Sequence, residues 1–398
     1  MNAEESRARK WVVLAAYSAV AGVSQMLWLN FAPLLSQVQA RYGVSEFVAS
    51  LLVLVFPLLY VVFSLPAGAL LDARGYRFGV GIGAVGMAAF AVLRIFDASF
   101  WPLLVGQIGI AVAQPYVVNG VSKLVADWFD EEQGALATGL ATMGMFVGMA
   151  VGMAATPALV ASGGQRFAMI VFCAITAAST VFFLVVVRSR GGGSGAETSS
   201  TSGFGPLLRD PQILLLLVLS FLGLGVFNGL TTWLEPIVAP RGIDSEHAGL
   251  GGGAILLGGI VGAVVIPALS DGLRRRKAFL VLCVAGALAT LYPLCVTGGY
   301  GALLSFGGLH GFFFLPALAL LLDVCAQIAG ASSAGAATSL VMLAGNAGGV
   351  VVVIAMGAVK GASGDFYPAV VLMVAILAVA LALSLRVKET FPGRAPAA

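Results

Sequence analysis

Twelve apolar runs recur along this chain about every 30 residues, near 11–35, 47–71, 77–97, 101–127, 135–160, 167–188, 212–239, 247–270, 277–297, 301–328, 334–360 and 366–386. Each reaches the ~20 residues that a helix needs to cross a hydrocarbon core. A β-barrel would show segments of about ten residues with alternating polarity, and these runs do not alternate. With 60% hydrophobic and 10% charged residues, the chain has too little polar surface for a soluble protein of 398 residues. The pattern predicts an all-α membrane protein with twelve transmembrane helices. The first run, of about 25 residues, outlasts the apolar core of a cleaved signal peptide and is expected to stay as the first span.

Two basic segments occupy matching places between the runs. The first is Gly68-Ala-Leu-Leu-Asp72-Ala-Arg74-Gly75-Tyr-Arg77; the second is Pro267-Ala-Leu-Ser-Asp271-Gly-Leu-Arg274-Arg275-Arg276-Lys277. Asp72 and Asp271 lie 199 residues apart, half the length of the chain. A Gly/Ser/Thr-rich stretch separates the sixth run from the seventh and has the composition of a flexible tether. The expected organisation is a six-helix bundle over 1–188, a linker over 189–211 and a second six-helix bundle over 212–398. Lys and Arg gather in cytoplasmic loops. With the N-terminus inside, 16 of the 21 basic residues fall on the cytoplasmic side, leaving Arg41, Arg94, Arg166, Arg241 and Lys360 on the other. Both termini and the linker are therefore expected in the cytoplasm, in a multi-pass protein of the cell membrane.

Composition also excludes functions. A net charge of +3 with scattered basic residues does not suit a nucleic-acid partner. The four cysteines lie inside apolar runs, as small packing residues do, and the two histidines form no metal-ligand cluster, so neither metal nor cofactor is expected. No phosphate-binding Gly-rich loop, no Ser/His/Asp set at one depth and no HExxH is present, so the chain is not read as an enzyme or an ATP-driven pump.

The Gly68-xxx-Asp72-x-Arg74-Gly75-x-Arg77 segment resembles the signature loop of the major facilitator superfamily, with Asp271 and its basic run as the weaker second copy. That resemblance implies secondary transport by alternating access, with Asp72, Arg74, Arg77 and Asp271 gating the cytoplasmic ends of the halves. In the first half, Trp28-Leu-Asn30-Phe-Ala, Arg41-Tyr42-Gly43-Val44-Ser45, Ala113-Gln114-Pro115-Tyr116-Val-Val-Asn119-Gly and Trp128-Phe129 resemble the feline leukaemia virus subgroup C receptor family. This family is associated with choline and ethanolamine transport and, historically, with haem. Its binding tryptophan and glutamine map to Trp28 and Gln114. Its span-seven Phe-Tyr pair falls on Phe227 and Asn228, and its span-eleven glutamine near Asn346, so two of the five positions carry a different side chain here.

Polar groups at mid-membrane depth face the bundle interior by default. Gln25 and Trp28, Gln107 and Gln114, then Asn228, Thr231 and Glu235, and Ser339, Met342 and Asn346, each repeat at helical spacing on one face. Trp28 offers a π face to an ammonium group, and the amides can orient a polar group without adding charge. Packing alone would also account for these residues. His310, the histidine inside a span, suits either proton coupling or a structural hydrogen bond. Glu235 and Asp323 are read as helix-end charges in contact with water. Since no Lys or Arg falls near the centre of a span, a neutral or cationic solute fits better than an anion. The expected function is transport of a small cationic amine such as choline or ethanolamine by a monomer in the bilayer. The alternatives are a proton-linked exporter or exchanger of amphipathic compounds or monocarboxylates, and a non-transporting receptor. Glycines at Gly139, Gly144, Gly148 and Gly152, and at Gly345, Gly348 and Gly349, predict close helix crossings.

Overall fold

The computed structural model describes residues 3–187, 204–330, 333–360 and 365–391; Arg188, Arg190, Arg394 and most of the expected linker lie outside them. Ten helices are long and apolar enough to cross a membrane. Two of them are too long for a single crossing. Glu46–Leu93 has 48 residues and Glu131–Val186 has 56, whereas about 20 span the hydrocarbon. Each is broken once, at Gly75 (φ 79°, ψ 162°) and at Gly164 (φ 79°, ψ 171°). Across the first break the Leu71 side chain lies against Gly79, so the chain doubles back there. Twelve crossing segments result, as the apolar runs predict.

They are α1 (Ala3–Leu29), α2 (46–74), α3 (76–93), α4 (Phe100–Val118, continued by Gly120–Trp128), α5 (131–163) and α6 (165–186), followed by α7 (Pro211–Val238), α8 (Ser245–Leu273), α9 (Arg276–Val296), α10 (Tyr300–Ala329), α11 (Ala334–Val359) and α12 (Tyr367–Ser384). Side-chain caps start several of them. Ser45 Oγ accepts the Val48 N–H, Asp210 Oδ1 accepts those of Gln212 and Ile213, and Asp244 Oδ1 accepts that of His247. Large apolar side chains such as Val62, Val85, Trp101, Val185, Leu257 and Val264 stand exposed on the helices, as residues facing lipid must.

The basic segment at 68–77 is not a loop; the helix reverses at Gly75 alone. The second copy reverses at Arg274, 199 residues on, whose φ of 52° is the one positive value at a non-glycine among the described residues. The Arg274 and Arg275 N–H groups close this turn on the Asp271 and Ser270 carbonyls. A left-handed conformation costs an L-residue about 1–2 kcal/mol. Arg274→Gly is therefore expected to raise the unfolding free energy by up to about 1 kcal/mol, and Gly75→Ala to lower it by about 1–3 kcal/mol, both read from denaturant unfolding in micelles.

The chain divides into two units, Met1–Thr198 and Ser199–Ala398. In unit 1, α1 packs on α5, α2 and α3 pack on α4, and α3 packs on α6. In unit 2, α7 packs on α11, α8 and α9 pack on α10, and α9 packs on α12. Every pairing is repeated six helices later, so both units follow one internal plan. Glycine sets the closest crossings. A Cβ at Gly148 of α5 would run into the Gly22 backbone of α1, one at Gly348 of α11 into the Phe221 backbone of α7, and one at Gly258 of α8 into the Gly308 backbone of α10. Among lipid tails, such van der Waals contact between backbones takes the place of a hydrophobic drive.

Candidate functional site

In unit 1, the tryptophan expected to face solute is tied to α2 by a defect in that helix. Pro57 lies inside α2 and has no N–H to give the carbonyl four residues back. Trp28 Nε1 donates to that carbonyl, Val53 O, at 3.2 Å, and the indole stacks on Phe56 with centroids 6.3 Å apart. On α4, Gln107 Nε2 donates to the neighbouring Leu52 carbonyl at 2.7 Å and to Leu27 O of α1 at 3.3 Å. Consecutive carbonyls of α2 thus receive Gln107 and Trp28. Trp28 remains 8% exposed.

Gln114, mapped as its partner, sits two turns farther along α4, about 10 Å by helical rise. It is Gln107 that shares the level of Trp28. Gln114 is buried, and its Nε2 has no acceptor among the described residues. Gln25, also buried, donates to Ser24 Oγ at 3.3 Å. Nearer the Gly75 end, Asn119 accepts from Tyr60 Oη at 2.8 Å and donates to Ser64, joining α4 to α2. Of the quoted first-half motif, Asn119 is a clasp between helices and Gln114 is the amide with donors to spare.

Unit 2 brings two of the expected residues, Phe227 and His310, into one assembly. Phe227 of α7 stacks on Phe314 of α10 at 6.2 Å, and Phe314 stacks on His310 at 5.2 Å. His310 is fully enclosed, with Nδ1 3.2 Å from Ala287 O and 3.0 Å from Thr290 Oγ1. A carbonyl can only accept, so Nδ1 carries the hydrogen and Nε2 is left as an acceptor, one that meets no donor among the described residues. Asn228 donates to Leu224 O at 2.8 Å and its amide lies against Gly349, while Asn346, one turn before Gly349, donates to Met342 O at 2.9 Å. Both amides stand at the α7–α11 crossing, each with a donor used on its own helix.

Glu235 departs from expectation. It is buried, not a helix-end charge in water, because Pro236 does not end α7, which runs on to Val238 and closes with a 3-10 turn over Ala239–Arg241. Asp323 does stand partly exposed, and it pairs with Arg276 Nε at 2.6 Å.

The expected gating residues differ between the copies. Asp271 pairs with Arg276 Nη2 at 2.6 Å, and the Arg276 and Lys277 backbone N–H groups, at the start of α9, donate to Glu389 at 3.0 and 3.2 Å. A carboxylate there also meets the positive end of the helix dipole. In unit 1, Arg74 lies over the ring of Phe78 at 4.8 Å, and among the described residues no ion pair joins Asp72 to Arg74 or Arg77. Sequence reasoning did not assign a role to Arg276, Glu389 or Phe314, and it counted Arg94 only among the basic residues of the non-cytoplasmic side, whereas Arg94 is enclosed.

Residues 17–352 match the model of the Major Facilitator Superfamily. The chain is 29% identical over 294 residues to Solute carrier family 49 member A3 of Danio rerio, an alignment covering 69% of this chain and 62% of that protein. It is 24% identical over 380 residues to the Choline/ethanolamine transporter FLVCR1 of Felis catus, covering 88% of this chain and 68% of that one. Its fold is similar to the crystal structure of a bacterial homolog to the human lysosomal transporter Spinster, inward-facing and unoccupied, with a TM-score of 0.77, 16% identity, and coverage of 98% and 99% of the two chains. Twelve crossing segments in two units of one plan, together with a family match over most of its length, make this chain a secondary transporter of the Major Facilitator Superfamily.

Proposed function

We propose that the solute is a small organic amine of the choline or ethanolamine class, moved by alternating access, with Trp28, Gln25 and Gln114 as candidate binding residues in unit 1 and Phe227, Asn228, Asn346 and His310 in unit 2. The observation that carries the reading is the absence of a fixed charge from this set. Its members are aromatic rings, neutral amides and an imidazole enclosed as an acceptor. A cation is held by π faces and amide oxygens, whereas an anion desolvated there would lack a counter-charge. The name borne by the feline relative agrees with this chemistry. In this reading, Asp72, Arg74, Arg77 and Asp271 gate the ends that carry the basic segments, both termini face the cytoplasm, and the monomer is the working form.

Uptake of labelled choline and ethanolamine into proteoliposomes tests the assignment. Trp28→Leu is expected to lower uptake about tenfold, as loss of a desolvated cation–π contact implies, and Gln114→Ala to lower it several-fold. Equal uptake by wild type and both variants would remove the amine. Uptake that instead follows a proton gradient and is lost in His310→Gln would assign proton-linked exchange, for which the free Nε2 of His310 is the acceptor.

A further inference from the structure

Unit 1 encloses a group of polar atoms at its Gly164 end that amine binding does not use. Arg94, the residue after α3, is 1% exposed. Its Nη2 lies 3.1 Å from Met169 Sδ, and its guanidinium stands 5.1 Å from the centroid of Phe31. Nε and Nη1 have no acceptor among the described residues. The side chain is held in place from α4, since a Cβ on Gly106 would come within 2.6 Å of Arg94 Cγ. Its neighbours carry the same deficit. Asn30, immediately before Phe31, is enclosed with neither amide atom bonded, and Gln107, immediately after Gly106, has an enclosed Oε1 without a donor.

Charge is out of balance at this end as well. Asp97, three residues beyond Arg94, is bonded to Arg41 Nη2 at 2.5 Å, and among the described residues no carboxylate pairs with Arg94. Asp97 is thus engaged by Arg41. A guanidinium taken from water without a counter-charge carries a desolvation penalty of several kcal/mol, and a sulfur atom and a ring face offset little of it. Water would satisfy hydrogen-bond directions but not the charge. Arg94 is enclosed, so a monatomic anion is accommodated more readily than an organic acid, and among the unbonded atoms named here donors outnumber acceptors. We propose that Arg94 Nε and Nη1 bind a small monovalent anion of the halide class as an internal counter-ion.

The test is thermal unfolding of the purified full-length protein in detergent, exchanged exhaustively into gluconate and then titrated with chloride or bromide at constant ionic strength. A ligand bound only by the folded state raises the midpoint with its concentration; a rise of about 3 °C or more is expected. Arg94→Met is expected to unfold at a midpoint that no longer depends on the halide. Should that variant not fold, crystals of the wild type grown in bromide are expected to show anomalous density in contact with Arg94 Nε and Nη1. A wild-type midpoint indifferent to the anion overturns the proposal, as does a halide dependence that survives in Arg94→Met or bromide density absent from Arg94. None of these readouts involves solute uptake, so the amine assignment stands or falls separately.

Discussion

A single methyl group at Gly148 is expected to cost more than about 3 kcal/mol of stability. The Cβ of an alanine there would overlap the carbonyl oxygen, carbonyl carbon and Cα of Gly22 across the α1–α5 crossing. Those atoms are backbone, so no rotamer change relieves the overlap. A shift of α1 is also resisted, because Gly144 lies against Ser18 one turn away and a Cβ on Gly152 would meet the Met26 carbonyl at 2.6 Å. The three contacts would have to open together. Gly139→Ala, on the same helix, is the control: nothing lies within 4 Å of the added Cβ, and alanine is the better helix former by about 1 kcal/mol. Gly148→Ala is expected to elute from size exclusion as aggregate or to unfold far below wild type, with Gly139→Ala equal or higher. If the two variants melt within a few degrees of each other, the crossing is not the close contact argued here.

That pair of glycines also marks how far the sequence could be read. Spacing at Gly144, Gly148 and Gly152 announced the crossing, but spacing gave Gly139 equal standing, and only the neighbouring helix separates them. The twelve crossings were legible because each is long and apolar enough to register alone. The turns were not, since a segment rich in Asp and Arg reads as a loop, whereas one residue with unusual φ suffices to reverse the helix. Candidate residues were found by type and spacing, while their partners were not. Glu389 reaches the start of α9 from 112 residues away, and Arg94 counted only toward the charge of the non-cytoplasmic side because nothing in the sequence tells that Phe31, Met169 and Gly106 close around it.

The two glutamines of α4 should separate structure from transport. Gln107→Met removes the hydrogen bonds given to Leu52 O and Leu27 O, which join α4 to two other helices. Each hydrogen bond is worth about 0.5–1.5 kcal/mol, so a loss of about 1–3 kcal/mol is expected. Trp28→Phe, which keeps a ring but returns the Val53 carbonyl to its unpaired state beside Pro57, is expected to cost about 1–3 kcal/mol while keeping much of the choline uptake. The two losses should not add, because the acceptors are successive residues of α2 and one local rearrangement answers both. Gln114→Met has no such bond to lose, since Gln114 Nε2 meets no acceptor among the described residues. Its melting temperature should equal or slightly exceed that of wild type while uptake falls. Were Gln114→Met to destabilise the protein as much as Gln107→Met, Gln114 would be another clasp between helices and not a solute ligand.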